Sequence, residues 1–99
     1  PSEPDGWYAL GAALRFLERP EEALSATDRA IALQADHRDA WWNRSGLLSQ
    51  LGRVELALQA LERCVALDPD VVVRLSQDED LAPLRGHPRF QALSTTTAP

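Results

Sequence analysis

The chain of 99 residues is 44% hydrophobic and 25% charged, with a formal net charge of −5, the arithmetic of one small acidic domain. So short a chain hides only about 60–65% of its unfolded surface, too little for a large core around a deep enzyme pocket. A single cysteine closes no internal disulfide and builds no zinc cage, the acidic balance argues against nucleic acid and membrane as partners, and no apolar run approaches the ~20 residues that span a bilayer.

No leader-like segment opens the sequence, so a cytoplasmic location is expected. All ten basic residues are Arg, a bias that GC-rich coding explains better than function does. In chain order, Trp7, Leu10, Gly11, Leu14 and Leu17 recur at the three- and four-residue spacing of one helical face. Pro20 then opens a second helix, its fixed φ suited to a first turn, with Glu21 and Glu22 beside the positive end of the dipole. The second stripe runs through Ala23, Leu24, Thr27, Ala30, Ile31 and Leu33. Shifted by 34 residues the pattern returns as Trp41, Leu47, Leu48 and Leu51, a break at Gly52, then Val54, Ala57, Leu58, Leu61, Val65 and Leu67. Laying 4–37 on 38–71 gives 13 identities in 34 positions. Gly52 suits a left-handed helix cap. Glu18 in the equivalent place predicts a turn that is strained or differently shaped, at a cost of about 1 kcal/mol.

Beyond the second unit, Asp70–Gln77 reads as a further helix behind Pro69, with Val72, Val73 and Leu75 apolar. Asp78-Glu79-Asp80 marks a break, Leu81 and Leu84 a short helical turn, and Gly86 its stop. His87-Pro88 opens a last helix bearing Phe90 and Leu93. The expected organisation is residues 1–3 as the remnant of an upstream repeat or a linker, units at 4–37 and 38–71, capping helices at 72–93 and a flexible tail at 94–99. Two steps of 34 residues back from Pro69 reach Pro1, the place of a preceding unit's closing proline. Further repeats upstream are therefore expected, as about three are needed to bury a continuous core.

The order Trp7-x2-Leu10-Gly11-x2-Leu14…Ala23-x3-Thr27, and again Trp41…Leu48…Ala57-x3-Leu61…Pro69, resembles the tetratricopeptide repeat (TPR), which has this 34-residue period. The resemblance covers residues 4–71. The string from Asp80-Leu81 through Leu84-Arg85, Pro88-Arg89-Phe90 and Leu93 is similar to the closing segment of many bacterial arrays. The implied fold is all-α: a solenoid of antiparallel helix hairpins, two TPR units and a C-terminal capping segment, at the end of a bacterial-type array. The pattern departs at Arg44 (usually Leu), Ser45 (Gly), Thr27 (an aromatic) and Ala35 (Pro). Small residues at Gly11, Ser45, Ala23 and Ala57 should let paired helices approach closely. Arg44 should lay its stem on the core and send its guanidinium to solvent or a carboxylate.

Nothing in these residues supports catalysis. Cys64 falls at a small-residue position of a second helix and reads as a buried, inert thiol. His37 in the inter-unit turn and His87 at a helix start lack partners at metal-binding spacing, and His87 reads as a cap. Asp78-Glu79-Asp80 lacks the alternating ligands and central Gly of a calcium loop and reads as a helix start. No phosphate loop or nucleophile–base motif occurs, so no enzyme activity, cofactor or metal is expected.

Binding is the better expectation. In stacked hairpins the first helix of each pair lines the concave side. Trp7 and Trp41 are expected to point into the hairpins, and Tyr8 and Trp42 toward the groove. Helical spacing adds Asp5, Ala12, Arg15 and Phe16 to Tyr8, and Asp39, Asn43, Gly46, Ser49 and Gln50 to Trp42. Tyr8, Arg15, Asp39, Trp42, Asn43 and Gln50 are the candidate contacts for a peptide or partner helix. Alternatively Tyr8 and Trp42 fill the superhelix, and Phe16 leans toward packing. The clamp by which some family members hold the C-terminal carboxylate of chaperone tails would fall on Tyr8, Ala12, Asn43, Val73 and Gln77. Only Asn43 matches, which argues against that ligand class. The sequence thus points to a non-catalytic protein–protein interaction scaffold. The alternatives are a docking or regulatory domain of a larger enzyme (glycosyltransferase, sulfotransferase or kinase) and a homo-oligomerising module acting through an exposed N-terminal hairpin.

Overall fold

The computed structural model describes residues 2–95; Pro1 and 96–99, with the expectations placed on them, lie outside the described residues. Four long helices run as α1 (Pro4–Phe16), α2 (Pro20–Leu33), α3 (Arg38–Gln50) and α4 (Val54–Leu67). Two 3₁₀ stretches (Pro69–Arg74 and Glu79–Leu84) and a last helix, α5 (Pro88–Thr95), complete the chain, with no strand among the described residues. The fold is an all-α pair of stacked hairpins with a helical cap. Pro4 and Pro20 stand in the first turns of α1 and α2, where a missing N–H costs nothing.

Both first helices end in the same closure. The Arg19 N–H donates to the Leu14 carbonyl (2.9 Å) and the Glu18 N–H to Arg15 (3.0 Å), while Arg53 donates to Leu48 (2.9 Å) and Gly52 to Ser49 (3.0 Å). Such a closure needs a left-handed residue, and it is Glu18 at φ 59° in the first unit and Gly52 at φ 76° in the second. Of the two outcomes expected at Glu18, the first holds: the turn keeps its shape and takes the strained left-handed conformation. Close approach within the hairpins rests on small residues, as anticipated. A Cβ on Gly11 would lie 2.5 Å from Thr27 Oγ1 and 3.1 Å from the Ala23 carbonyl, and Ser45, Ala23 and Ala57 are fully buried.

His37 fastens the units together. Its Nδ1 accepts from the Ala40 N–H at 3.1 Å and caps α3. The proton therefore sits on Nε2, which donates to Asp5 Oδ1 of α1 at 2.8 Å. Arg44, the departure from the family pattern, pairs its Nε with Asp28 of α2 at 3.1 Å. Burial raises the Asp28 carboxyl above its ordinary range, and Arg44 offsets this only partly.

The core is lopsided. Leu47, Leu48, Leu58, Leu61, Cys64 and Val65 of the second unit join Val71, Val72, Leu75, Leu81, Leu84 and Phe90 of the cap in one buried cluster. By contrast, α1 buries only Gly11, and Leu10, Phe16 and the Leu17 that follows the helix are exposed. Leu14 is only partly buried, whereas its counterpart Leu48 is fully so. A cavity of about 290 Å³ lined by Trp7, Leu10, Leu14 and Ala26 opens on this side. The Trp7 ring carries the Arg29 guanidinium 5.4 Å from its centroid. Trp41 packs on the core and donates its Nε1–H to the Ala35 carbonyl (2.7 Å).

The helix expected over Asp70–Gln77 is instead a 3₁₀ stretch over Pro69–Arg74 followed by turns. Three consecutive β-branched residues (Val71, Val72, Val73) are weak helix formers. Val72 and Leu75 eclipse at three residues per turn, so the tighter winding buries both, along with Val71. Leu81 and Leu84 repeat the device in the second stretch, where Pro83 supplies no N–H for an α-helical ladder. His87 caps the last helix, its Nδ1 accepting from the Arg89 N–H at 3.1 Å. Arg89 then pins that helix to α4 through Glu62 and Glu55, both at 2.5 Å.

Candidate interaction surface

The six candidate contacts lie where α1 and α3 run side by side, but they do not form one open surface. Trp42 is 8% exposed. The Arg74 guanidinium lies 4.4 Å from its ring centroid, a cation–π lid from the cap. Asn43 is also buried: its Nδ2 donates to Thr27 Oγ1 (3.0 Å) and its Oδ1 accepts from Arg15 Nη1 (2.7 Å). Both were expected in the groove, and both are corrected to interior positions. The residue pattern placed them on the right helical face; the cap and the α2 crossing, which cover that face, come from distant parts of the chain. Gly46 and Ser49, expected beside them, are likewise buried.

The other four differ in their surroundings. Tyr8 is half-buried, its ring tilted 38° against that of His37 at 5.3 Å. Asp39 is partly exposed and meets Arg38 at 3.2 Å. Gln50 is exposed and donates through Nε2 to Asp80 Oδ1 at 3.0 Å. Arg15 is the organising residue, its side chain only 18% exposed and ion-paired with Asp80. Its guanidinium rests on α3 at Gly46, where an added Cβ would stand 2.9 Å from Arg15 Cζ. Phe16 departs from its expected packing role: it is 87% exposed. It lies at the end of α1, beyond the reach of the buried cluster.

Arg15, Asn43 and Gln50 come together, with Ala12, Phe16 and Asp80, around a cavity of about 380 Å³; Tyr8, Asp39 and Trp42 lie outside its lining. Asp80 is the residue that sequence reasoning missed here. Its cluster does start a helical turn, with Asp78 accepting from the Asp80 N–H at 3.0 Å. Nothing in the residue pattern, however, marks a contact between Asp80 and an arginine 65 residues away. A charge-assisted pair, an amide and an exposed aromatic meet at this cavity. The chain's thiol is elsewhere: Cys64 is fully buried, 3.6 Å from the Arg38 carbonyl, and burial pushes its pKa up to about 11.

Stacked antiparallel hairpins, each closed between its two helices by the same left-handed turn, define a helical-repeat protein. A family model described as tetratricopeptide repeat matches residues 4–37 and again residues 39–71. The chain belongs to the tetratricopeptide-repeat family, whose repeats generally serve as protein-interaction modules. A search of curated proteins returned no match to it.

Proposed function

We propose that the chain is a non-catalytic protein-interaction module that takes an extended peptide or partner helix along the α1/α3 face. One observation carries this reading: the nearly fully exposed Phe16 stands beside the fixed Arg15 guanidinium on the rim of the 380 Å³ cavity. A large aromatic open to water and a preordered guanidinium are the residue types that dominate binding energy at interfaces. Tyr8, Asp39 and Gln50 extend the surface, and the buried Asn43 lines the cavity.

The test begins with peptides selected on the chain from a displayed library. Phe16→Ser and Tyr8→Ala should each weaken the selected peptides by tenfold or more, with helicity by circular dichroism unchanged. Unaltered binding in both variants would remove this face from consideration. Trp42→Ala is unsuitable for the purpose, because truncating a buried Trp costs about 3–5 kcal/mol and unfolding would mimic lost binding.

A further inference from the structure

The groove already holds a carboxylate from its own chain. Asp80, in the second 3₁₀ stretch of the cap, gives one oxygen to Arg15 of α1 and the other to Gln50 of α3 at 3.0 Å. We propose that Arg15, Asn43 and Gln50 form a carboxylate receptor, that Asp80 is its built-in occupant, and that a partner docks by inserting an Asp or Glu side chain in its place. The inference rests on the α1/α3 reading and names the chemistry of its ligand.

Three observations support it. The receptor is organised by groups other than Asp80: Thr27 holds Asn43, Asn43 holds Arg15 Nη1, and the missing Cβ of Gly46 leaves the space in which the guanidinium lies on α3. An arginine fixed in this way presents its remaining N–H groups as a preformed fork for a carboxylate. The cap, in turn, is held without Asp80. Leu75, Leu81, Leu84 and Phe90 are buried in the core, Arg85 donates to the Asp78 carbonyl at 2.8 Å, and Arg89 bridges to α4. Releasing the Asp80 side chain therefore leaves the cap in place. Finally, Asp80 faces the open cavity rather than the interior, with about a third of its side chain exposed and Phe16 across from it. An incoming segment has both a path to the guanidinium and an apolar surface on which to rest.

The occupant acts as an internal competitor. A tethered group has an effective concentration on the order of millimolar, so it suppresses lone carboxylates, whose own affinity is of that order. A partner that also engages Phe16 and Tyr8 overcomes it. With a net charge of −5 on the chain, long acidic runs are repelled at a distance. The favoured partner is thus a mainly apolar segment with one or two carboxylates.

The test uses sodium acetate against matched sodium chloride, followed by NMR at Arg15 Nε–Hε and the Gln50 side-chain amide. In Asp80→Ala and Asp80→Asn, acetate should shift these signals saturably in the millimolar range. The wild-type chain should respond about two- to fivefold more weakly, and adding Arg15→Ala should abolish the response at the Gln50 amide. Equal responses with and without Asp80, or none in either folded variant, would overturn the proposal. So would loss of hydrogen-exchange protection across 79–84 in both variants, because Asp80 would then be holding the cap rather than filling a receptor. A library selection on the wild-type chain separates the two readings. Groove-bound peptides that keep their affinity when every Asp and Glu becomes Asn and Gln would sustain the interaction surface while ending the carboxylate proposal.

Discussion

Glu18 and Gly52 perform one task with different chemistry. Both end a first helix at positive φ, but Glu18 carries a Cβ that this conformation crowds against the following carbonyl. Glu18→Gly relieves that strain and loses a little through the freer unfolded chain. The net expectation is a gain of about 0.5 kcal/mol, read as a higher urea midpoint with an unchanged m-value. An unchanged midpoint would mean that the turn has relaxed its strain elsewhere. This position was legible in the sequence, because a 34-residue shift sets Glu18 beside Gly52 and the physics of the left-handed region does the rest. Trp42 and Asn43 were not. Helical spacing correctly put them on the groove side of α3, yet their burial depends on Arg74, Arg15 and Thr27, and no local pattern encodes those contacts.

Among elements, α5 has an anchor that acid releases. Arg89 hydrogen-bonds Glu62 and holds its carboxyl below the ordinary carboxylate range. A group whose folded pKa is lowered contributes fully above its unfolded pKa, and the contribution disappears as pH falls through the folded one. The anchor is therefore intact at neutral pH and weakens below about pH 4.5, near the unfolded Glu value. Amide exchange in 88–95 should accelerate as pH falls from 6 to 3, beyond the intrinsic change in exchange rate, before that of α3. Glu62→Gln should show the fast exchange already at pH 6. If α5 and α3 lose protection together at every pH, Arg89 is not the anchor. The four long helices were readable from periodicity, proline and glycine. The cap was misread over Asp70–Gln77 because its apolar residues fit an α-helical stripe as well as a 3₁₀ one, and the β-branched run settles the choice only once Val71, Val72 and Leu75 share a core.

At the scale of the whole molecule, the two units are alike in sequence and unlike in packing. The second is sealed by the cap, while the first turns Leu10, Leu17 and the partly buried Leu14 outward. The repeat was visible in the sequence; this asymmetry follows from which neighbours each unit has, and no 34-residue window contains it. The helix pairs touch chiefly their neighbours along the chain, α1 with α2, α2 with α3, and α3 with α4.

The Arg15–Asp80 pair spans more of the chain, 65 residues, and it bears on the order of folding. Local helix pairing closes short loops and proceeds quickly, whereas a bond across 65 residues closes a long one. That bond belongs to the last stage of assembly, after the rate-limiting barrier. In stopped-flow chevrons Asp80→Ala should leave the folding limb where it is and raise the unfolding rate about two- to fivefold, the share of a partly exposed ion pair worth about 0.5–1 kcal/mol. A slowed folding limb would place the pair in the nucleus instead. Read in time rather than in space, the carboxylate in the groove is the final stitch: the receptor is complete before the chain supplies its own occupant, and newly folded molecules pass through a moment with the groove empty.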